Sequence, residues 1–440
     1  MTNNDTEIPS LGNERKPTLD RRTFLGAAGA GAVATTLAGC LGEEDDLIRI
    51  GHIAPLQQDM GAGSENSAQL AVDQLNEEDG IMDREVELVS ADSVGDPGEA
   101  LTATEEMVEQ DGVDVIIGTF VTEVMQGITD YVADVDVPFL ITGSADPVTV
   151  TDTVAEDYDR FKNIFRSGPI NSDLQAEGMV DYAEFLADEY GWTQFAHIAD
   201  DAAWTEPFSD NLPGYLEDVG LDVVHEDRLA PGTDDWAPVN SDIADSGADA
   251  VFRFFAHNVG TGMLVNWREN EYEFAIEGIH VPGMSPEFWD DSEGAALYET
   301  TSQSGAAGAT DITAETEPFV DAYVEEYGDD RPSLPMYMGF NTYDAVFVYK
   351  DAVERAGTLD YQADIDTIVD ELLETDHEGA AGEIEFYGPD EDYPHDVRAT
   401  TDDDGVITNF PVTQWQDDGE FECVYPEHLA SADHITPEWL

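Results

Sequence analysis

Asp111 to Pro147 reads DGVDVIIGTFVTEVMQGITDYVADVDVPFLITGSADP, and its order is strand, turn, helix, strand, turn. Val113, Val115, Ile116 and Ile117 form a near-continuous apolar run, as expected of a parallel strand covered by helices on both faces. Pro138 to Ile141 repeats that signature. Between them Val124, Ile128, Tyr131 and Val132 fall at helical spacing, which predicts a helix packed on the sheet as a right-handed crossover. Both strands end in small polar residues, Thr119 to Glu123 and Thr142 to Asp146. Open α/β sheets bind ligands at the carboxyl ends of their strands, so a small polar molecule is expected there.

The same alternation extends in both directions. Upstream, Leu47 to Pro55 reads as a strand, Met60-Gly61-Ala62-Gly63 as a ligand loop, Ala68, Ala71, Val72 and Leu75 as one face of a helix, and Glu85 to Ala91 as the next strand. Downstream, Ile164 to Gly168 reads as a crossover, beyond which β/α alternation restarts with strands at 195–199, 221–228 and 250–255. A long helix is expected near 335–356. The tail differs in kind: Gly382 to Phe386, Val412 to Gln416 and Glu420 to Tyr425 alternate like antiparallel strands between Asp-rich turns.

With 440 residues and a hydrophobic share of 41%, the chain can bury the cores of two domains. Its charge is extreme, 98 Asp+Glu against 16 Lys+Arg for a formal net of -82. The acids are spread through every segment, a surface chemistry resembling that of haloarchaeal proteins, which molar salt makes tolerable by shortening the screening length to about 3 Å. Nucleic acid and anionic membranes are disfavoured partners. Residues 1–40 resemble a twin-arginine lipoprotein signal, with Arg21-Arg22 before a short apolar stretch and Leu37-Ala38-Gly39-Cys40 at its end. Cys40 is then the lipid-bearing residue, 41–46 an acidic linker, and Cys423 is left without a disulfide partner. No metal-ligand spacing, catalytic motif or cofactor fingerprint stands out, and none of these is expected.

IRIGHIAPL, AQLAVDQLNEEDGIMDREVELVSADSVGDP, VEQDGVDVIIG, VPFLITGSADP and YDAVFVYKDAVERAG together resemble the leucine/isoleucine/valine-binding family of ABC-transporter receptors. The resemblance implies the type I periplasmic-binding-protein fold: two doubly wound, Rossmann-like α/β domains joined by three hinge crossovers. Domain I is expected over 47–166 plus 302–383, and domain II over 167–301 plus 384–440. Carried over residue by residue, Thr122 falls where a hydroxyl holds a ligand carboxylate, Gly143 where a carbonyl receives an ammonium group, and Ser144 beside it. Ala145 stands where a hydroxyl is usual. Trp204, His257 and Met60 fall at aromatic positions, and Met284 near the acid that pairs with the ammonium. Each position also has a local reading: a helix cap for Thr122, a packing aromatic for Trp204, a loop histidine for His257, and generic apolar residues for the two methionines. A buried ammonium without a carboxylate is costly, so Asp146, Glu206 or Glu287 would have to supply the charge if the ligand is an α-amino acid.

The resulting expectation is a monomeric receptor, anchored outside the cell membrane by lipid on Cys40. It would deliver a branched-chain or related amino acid to an ABC permease and ATPase by hinge closure. An amide, urea or aromatic acid is the alternative ligand within the same fold. A chemotaxis-coupled sensor and a secreted hydrolase are the rival functions.

Overall fold

The computed structural model describes residues 47–440; the twin-arginine stretch, Cys40 and the linker 41–46 lie outside the described residues. The chain opens with β1 (Ile48–Ala54), α1 (Asp59–Glu78), β2 (Val86–Asp92), α2 (Pro97–Glu106), β3 (Val115–Gly118), α3 (Thr122–Asp134) and β4 (Phe139–Ile141). Two short helices, α4 (Thr153–Glu156) and α5 (Tyr158–Phe161), lead to β5 (Ile164–Arg166). These five strands form one parallel sheet in the order β2-β1-β3-β4-β5. Every residue of β3 and β4 is buried, which is why both read as unbroken apolar runs rather than alternating ones.

Ser167 to Asn171 carries the chain into a second unit. There α6 (Ser172–Tyr190), β6 (Gln194–Asp200), α7 (Glu206–Asp218), β7 (Asp222–Leu229), α8 (Trp236–Ser246), β8 (Ala250–Phe255), α9 (Thr261–Asn270) and β9 (Ala275–His280) follow. Their strands make a second parallel sheet, β7-β6-β8-β9. After α10 (Phe288–Asp291), β10 (Thr300–Ser302) runs beside β9 and leads the chain out of the second unit. Then come α11 (Thr316–Tyr327), α12 (Tyr337–Ala356) and α13 (Tyr361–Leu373). A hairpin of β11 (His377–Gly379) and β12 (Gly382–Ile384) precedes β13 (Val412–Trp415) and β14 (Phe421–Tyr425), which join β10 in a small antiparallel sheet. So Gly382–Ile384 pairs locally with β11, not with the other two tail strands.

Two expectations about local structure are corrected. Met60 to Gly63 is the first turn of α1, because Gly61 lies against the Pro55 carbonyl: a Cβ there would come within 2.2 Å of that oxygen, and one at Gly63 within 2.9 Å of Pro332. The glycines allow close packing and do not form a ligand loop. Ile164 to Arg166 is the fifth strand of the first sheet, and the crossover starts only after it.

The crossovers are tied together by buried charge. Arg166 Nη1 donates to Asp396 at 2.9 Å, and Asn171 and Thr151 each donate to the same carboxylate at 2.8 Å. Arg253 pairs with Glu299 at 2.7 Å just ahead of β10. Such pairs need several donors to offset the loss of hydration, and the Asp396 carboxylate has three. In the first unit a buried relay from His52 through Ser64 and Thr342 to Thr142 joins β1, α1, α12 and the end of β4, with contacts of 2.8 Å. Burial lowers the His52 pKa to about 3, so this imidazole is neutral at pH 7.

Candidate functional site

The ends of β3 and β4 are shaped by backbone crowding. Gly118 has φ 124°, and a Cβ there would lie 2.3 Å from the Ile53 carbonyl of β1. Thr119, with φ 65°, is a buried non-glycine residue in the left-handed region, where its hydroxyl donates to the Gly118 carbonyl at 2.7 Å. Strained backbone of this kind turns the chain sharply enough to aim Phe120, Val121 and Thr122 across the sheet end. Helix α3 starts there with Val121 as its N-cap and no side-chain cap bond, so its first N–H groups are free of side-chain acceptors. Thr122 is the first helical residue rather than the cap, and its hydroxyl lies 3.1 Å from that of Ser144.

A pocket opens at this point between the two parallel sheets. Thr122, Gly143 and Ala145 line one side, and Trp204, His257 and Met284 the other. Six of the residues named from the sequence are thus brought together. Ser144 is buried behind the wall, where it supports Thr122 without lining the pocket. Met60 is elsewhere: it lines a separate chamber with Phe288 and Met336, because α1 begins one turn earlier than the sequence implied. Phe120, Ala256 and Val281 border both spaces.

Local bonds explain the placements. The Gly143 carbonyl accepts from Tyr337 at the start of α12, at 2.8 Å. The backbone N–H groups of Ala256 and His257 donate to Asp200 at 2.7 and 2.6 Å, and Asn258 completes that carboxylate's partners, which holds the loop after β8 over the pocket. Trp204 sits in a short turn after β6, edge-on to Phe208 at 5.8 Å, with its indole N–H unpartnered.

No Asp, Glu, Lys or Arg lines it, and His257 contributes its one imidazole. Asp146, Glu206 and Glu287, the candidate partners for an ammonium group, do not line it. Asp146 accepts from Thr149 Oγ1 at 2.7 Å and from two backbone N–H groups, which makes it a turn-capping residue. Glu206 is exposed at the start of α7, and Glu287 accepts from Ser285 and the Ser333 N–H. The pocket therefore presents a helix N-terminus and a hydroxyl at one end and mostly apolar walls elsewhere, an arrangement that favours an anion with an apolar body.

Sequence reasoning missed Gln175, Gln303, Tyr337 and Phe410, which also line the pocket. Gln303 follows β10 and Tyr337 opens α12, so the crossover strand and the start of a long helix were the available signals.

Two parallel α/β lobes linked by three crossovers, with a pocket where their strand ends meet, define the type I periplasmic-binding architecture. The chain belongs to the periplasmic binding protein family, whose model matches residues 47–406. It is 27% identical over 323 residues to a Leu/Ile/Val-binding protein homolog of Brucella melitensis, covering 72% of this chain and 81% of that one. Over 402 residues it is 23% identical to the leucine-, isoleucine-, valine-, threonine- and alanine-binding protein of Pseudomonas aeruginosa, covering 90% and 96%. Among solved structures, a branched-chain amino acid ABC transporter protein of Silicibacter pomeroyi superposes with a TM-score of 0.75 at 19% identity, covering 89% of this chain and all of that one. A solute-binding protein of Rhodopseudomonas palustris in complex with 3,4-dihydroxybenzoic acid gives 0.69 at 19% identity, covering 89% and 99%.

Proposed function

We propose that this chain is the receptor of an ABC importer, held at the outer face of the cell membrane by lipid on Cys40 after twin-arginine export. It binds a small carboxylate between its lobes and presents the closed form to the permease. Domain I comprises 47–166 plus 302–383 and domain II the remainder of the described chain. The ligand carboxylate docks on the free N–H groups of α3 and on Thr122, while Trp204, His257 and Met284 close over its body. The Pseudomonas and Brucella relatives, named for branched-chain amino acids, support an amino acid as the first reading.

One observation favours the second reading, an acid without an ammonium group. The pocket holds no carboxylate, and the Gly143 carbonyl, the expected ammonium acceptor, already receives the Tyr337 hydroxyl. A charged ammonium would lose its hydration there without an ionic partner. The receptor is not an enzyme in this reading, and it acts as a monomer.

Thermal unfolding in molar KCl with leucine, isoleucine, valine, benzoate and urea separates the readings. A ligand at 100 times its dissociation constant stabilises by about 2.7 kcal/mol. Stabilisation by acids and not by amino acids is expected, whereas stabilisation by leucine alone would return the site to the first reading.

A further inference from the structure

Gln303 is fully buried, lines the pocket, and lies directly after β10 where the chain crosses between the sheets. Its Nε2 donates to Thr413 Oγ1 at 3.4 Å. That orientation is fixed by the next bond along: Thr413 Oγ1 gives its one proton to the Thr301 carbonyl at 2.8 Å, so toward Gln303 it can only accept. The amide oxygen Oε1 therefore faces away from Thr413, and it has no hydrogen-bond partner. Buried acceptors are rarely left unmet, because such a group has lost water and gained nothing in return. Among the described residues that line the pocket, one other buried side-chain polar atom is unpartnered, the indole N–H of Trp204. Two residues that line the pocket thus carry one unmet acceptor and one unmet donor.

We infer that Gln303 reads a hydroxyl on the ligand, so that the substrate class is a hydroxy-substituted carboxylic acid without an ammonium group. The inference rests on the carboxylate reading above and adds a second polar contact to it. A hydroxyl donates to Gln303 Oε1. It also stays neutral, so it loses far less on leaving water than an ammonium would. Because Gln303 sits on a crossover, the contact forms with the lobes closed, and a ligand lacking the hydroxyl leaves Oε1 unmet in that state. A site built around a buried hydrogen bond discriminates most strongly against the analogue that lacks the partner.

Calorimetric titration of the protein in molar KCl with benzoate, the three hydroxybenzoates and leucine tests this. At least one hydroxybenzoate is expected to bind about tenfold or more tighter than benzoate, the consequence of satisfying one buried acceptor. Gln303→Leu and Gln303→Met should each collapse that ratio to within about threefold of unity. The ratio between two acids on one variant is the readout, so a general loss of affinity does not imitate the effect. If benzoate binds as tightly as every hydroxybenzoate, or if the preference survives both substitutions, the role of Gln303 is wrong and the carboxylate reading stands. Binding of leucine with no binding of any acid would overturn both.

Discussion

The outer surface and the cleft of this protein have opposite chemistry. More than one residue in five is acidic, 98 of 440, yet none of those residues lines the pocket. Acids near the cleft are instead absorbed by backbone and hydrogen-bonding partners, Asp200 by Ala256, His257 and Asn258, and Asp146 by its own turn. On the proposed reading, the acidic charge is kept from the one place where it would repel a carboxylate ligand. An acidic surface and an anion-binding cavity are compatible, because a buried charge interacts over a low effective dielectric while an exposed one in molar salt is screened within about 3 Å.

The contrast breaks first at the surface. On dialysis from molar to millimolar KCl, the net charge of -82 is no longer screened, and cooperative unfolding by circular dichroism is expected. A folded protein with an unchanged melting temperature in dilute buffer would mean that the acidic surface is not a salt adaptation.

Placing an acid inside tests the other half. Met284 is buried and lines the pocket, and the family resemblance puts it near the acid that pairs with an ammonium group. Met284→Glu should weaken an acid ligand by about 3 kcal/mol, taking an effective dielectric of about 20 and a separation of about 6 Å. Burial raises the pKa of the introduced carboxyl, so the penalty should be small at low pH, where it is neutral, and grow as pH rises and it ionises. Leucine affinity should move the opposite way. Unchanged acid binding across that range would remove Met284 from the site.

Thr122→Val is the next largest change. Losing the hydroxyl leaves a ligand oxygen without one of its donors, at a cost of roughly 1–3 kcal/mol of binding in calorimetry. Because Ser144 also contacts that hydroxyl, a drop in the unliganded melting temperature with affinity intact would assign Thr122 to support of the wall.

What could be read in advance follows from how local each feature is. The β3-α3-β4 unit was legible because buried parallel strands are apolar throughout and the helix between them repeats at 3.6 residues; its strand ends marked the two loops, and the family resemblance singled out Thr122, Gly143 and Ala145 within them. Tyr337 was not, since its contact with Gly143 spans 194 residues and depends on the chain returning through two crossovers. Gln303 carries no pattern of its own; its meaning comes from Thr413 and Thr301, which only the assembled small sheet brings beside it. Met60 was misplaced for a local reason: glycines that usually mark a loop here serve a helix pressed against Pro55.

The smallest effect lies where surface and cleft meet. Arg331, on the segment before α12, grips Asp59 of α1 through Nε at 2.9 and 3.0 Å and reaches Asp291 of α10 through Nη2 at 2.5 Å. Asp59 belongs to the elements around the first sheet and Asp291 to those that follow the second, so the guanidinium spans the mouth of the cleft. Ser285 adds a bond to Asp59 at 3.0 Å, and Glu287 one to the Ser333 N–H at 2.9 Å. Half-exposed pairs of this kind contribute about 0.2–1 kcal/mol, because water competes for them and two long side chains lose freedom. If opening of the lobes breaks the Asp291 contact, Arg331→Met should weaken ligand binding by up to about fivefold. Direct hydrogen bonds persist in salt while longer-range attraction does not, so the loss should shrink only partly between moderate and saturating KCl. An affinity unchanged at every salt concentration would mean that the mouth contact forms passively after closure, and that the apolar pocket alone holds the lobes together.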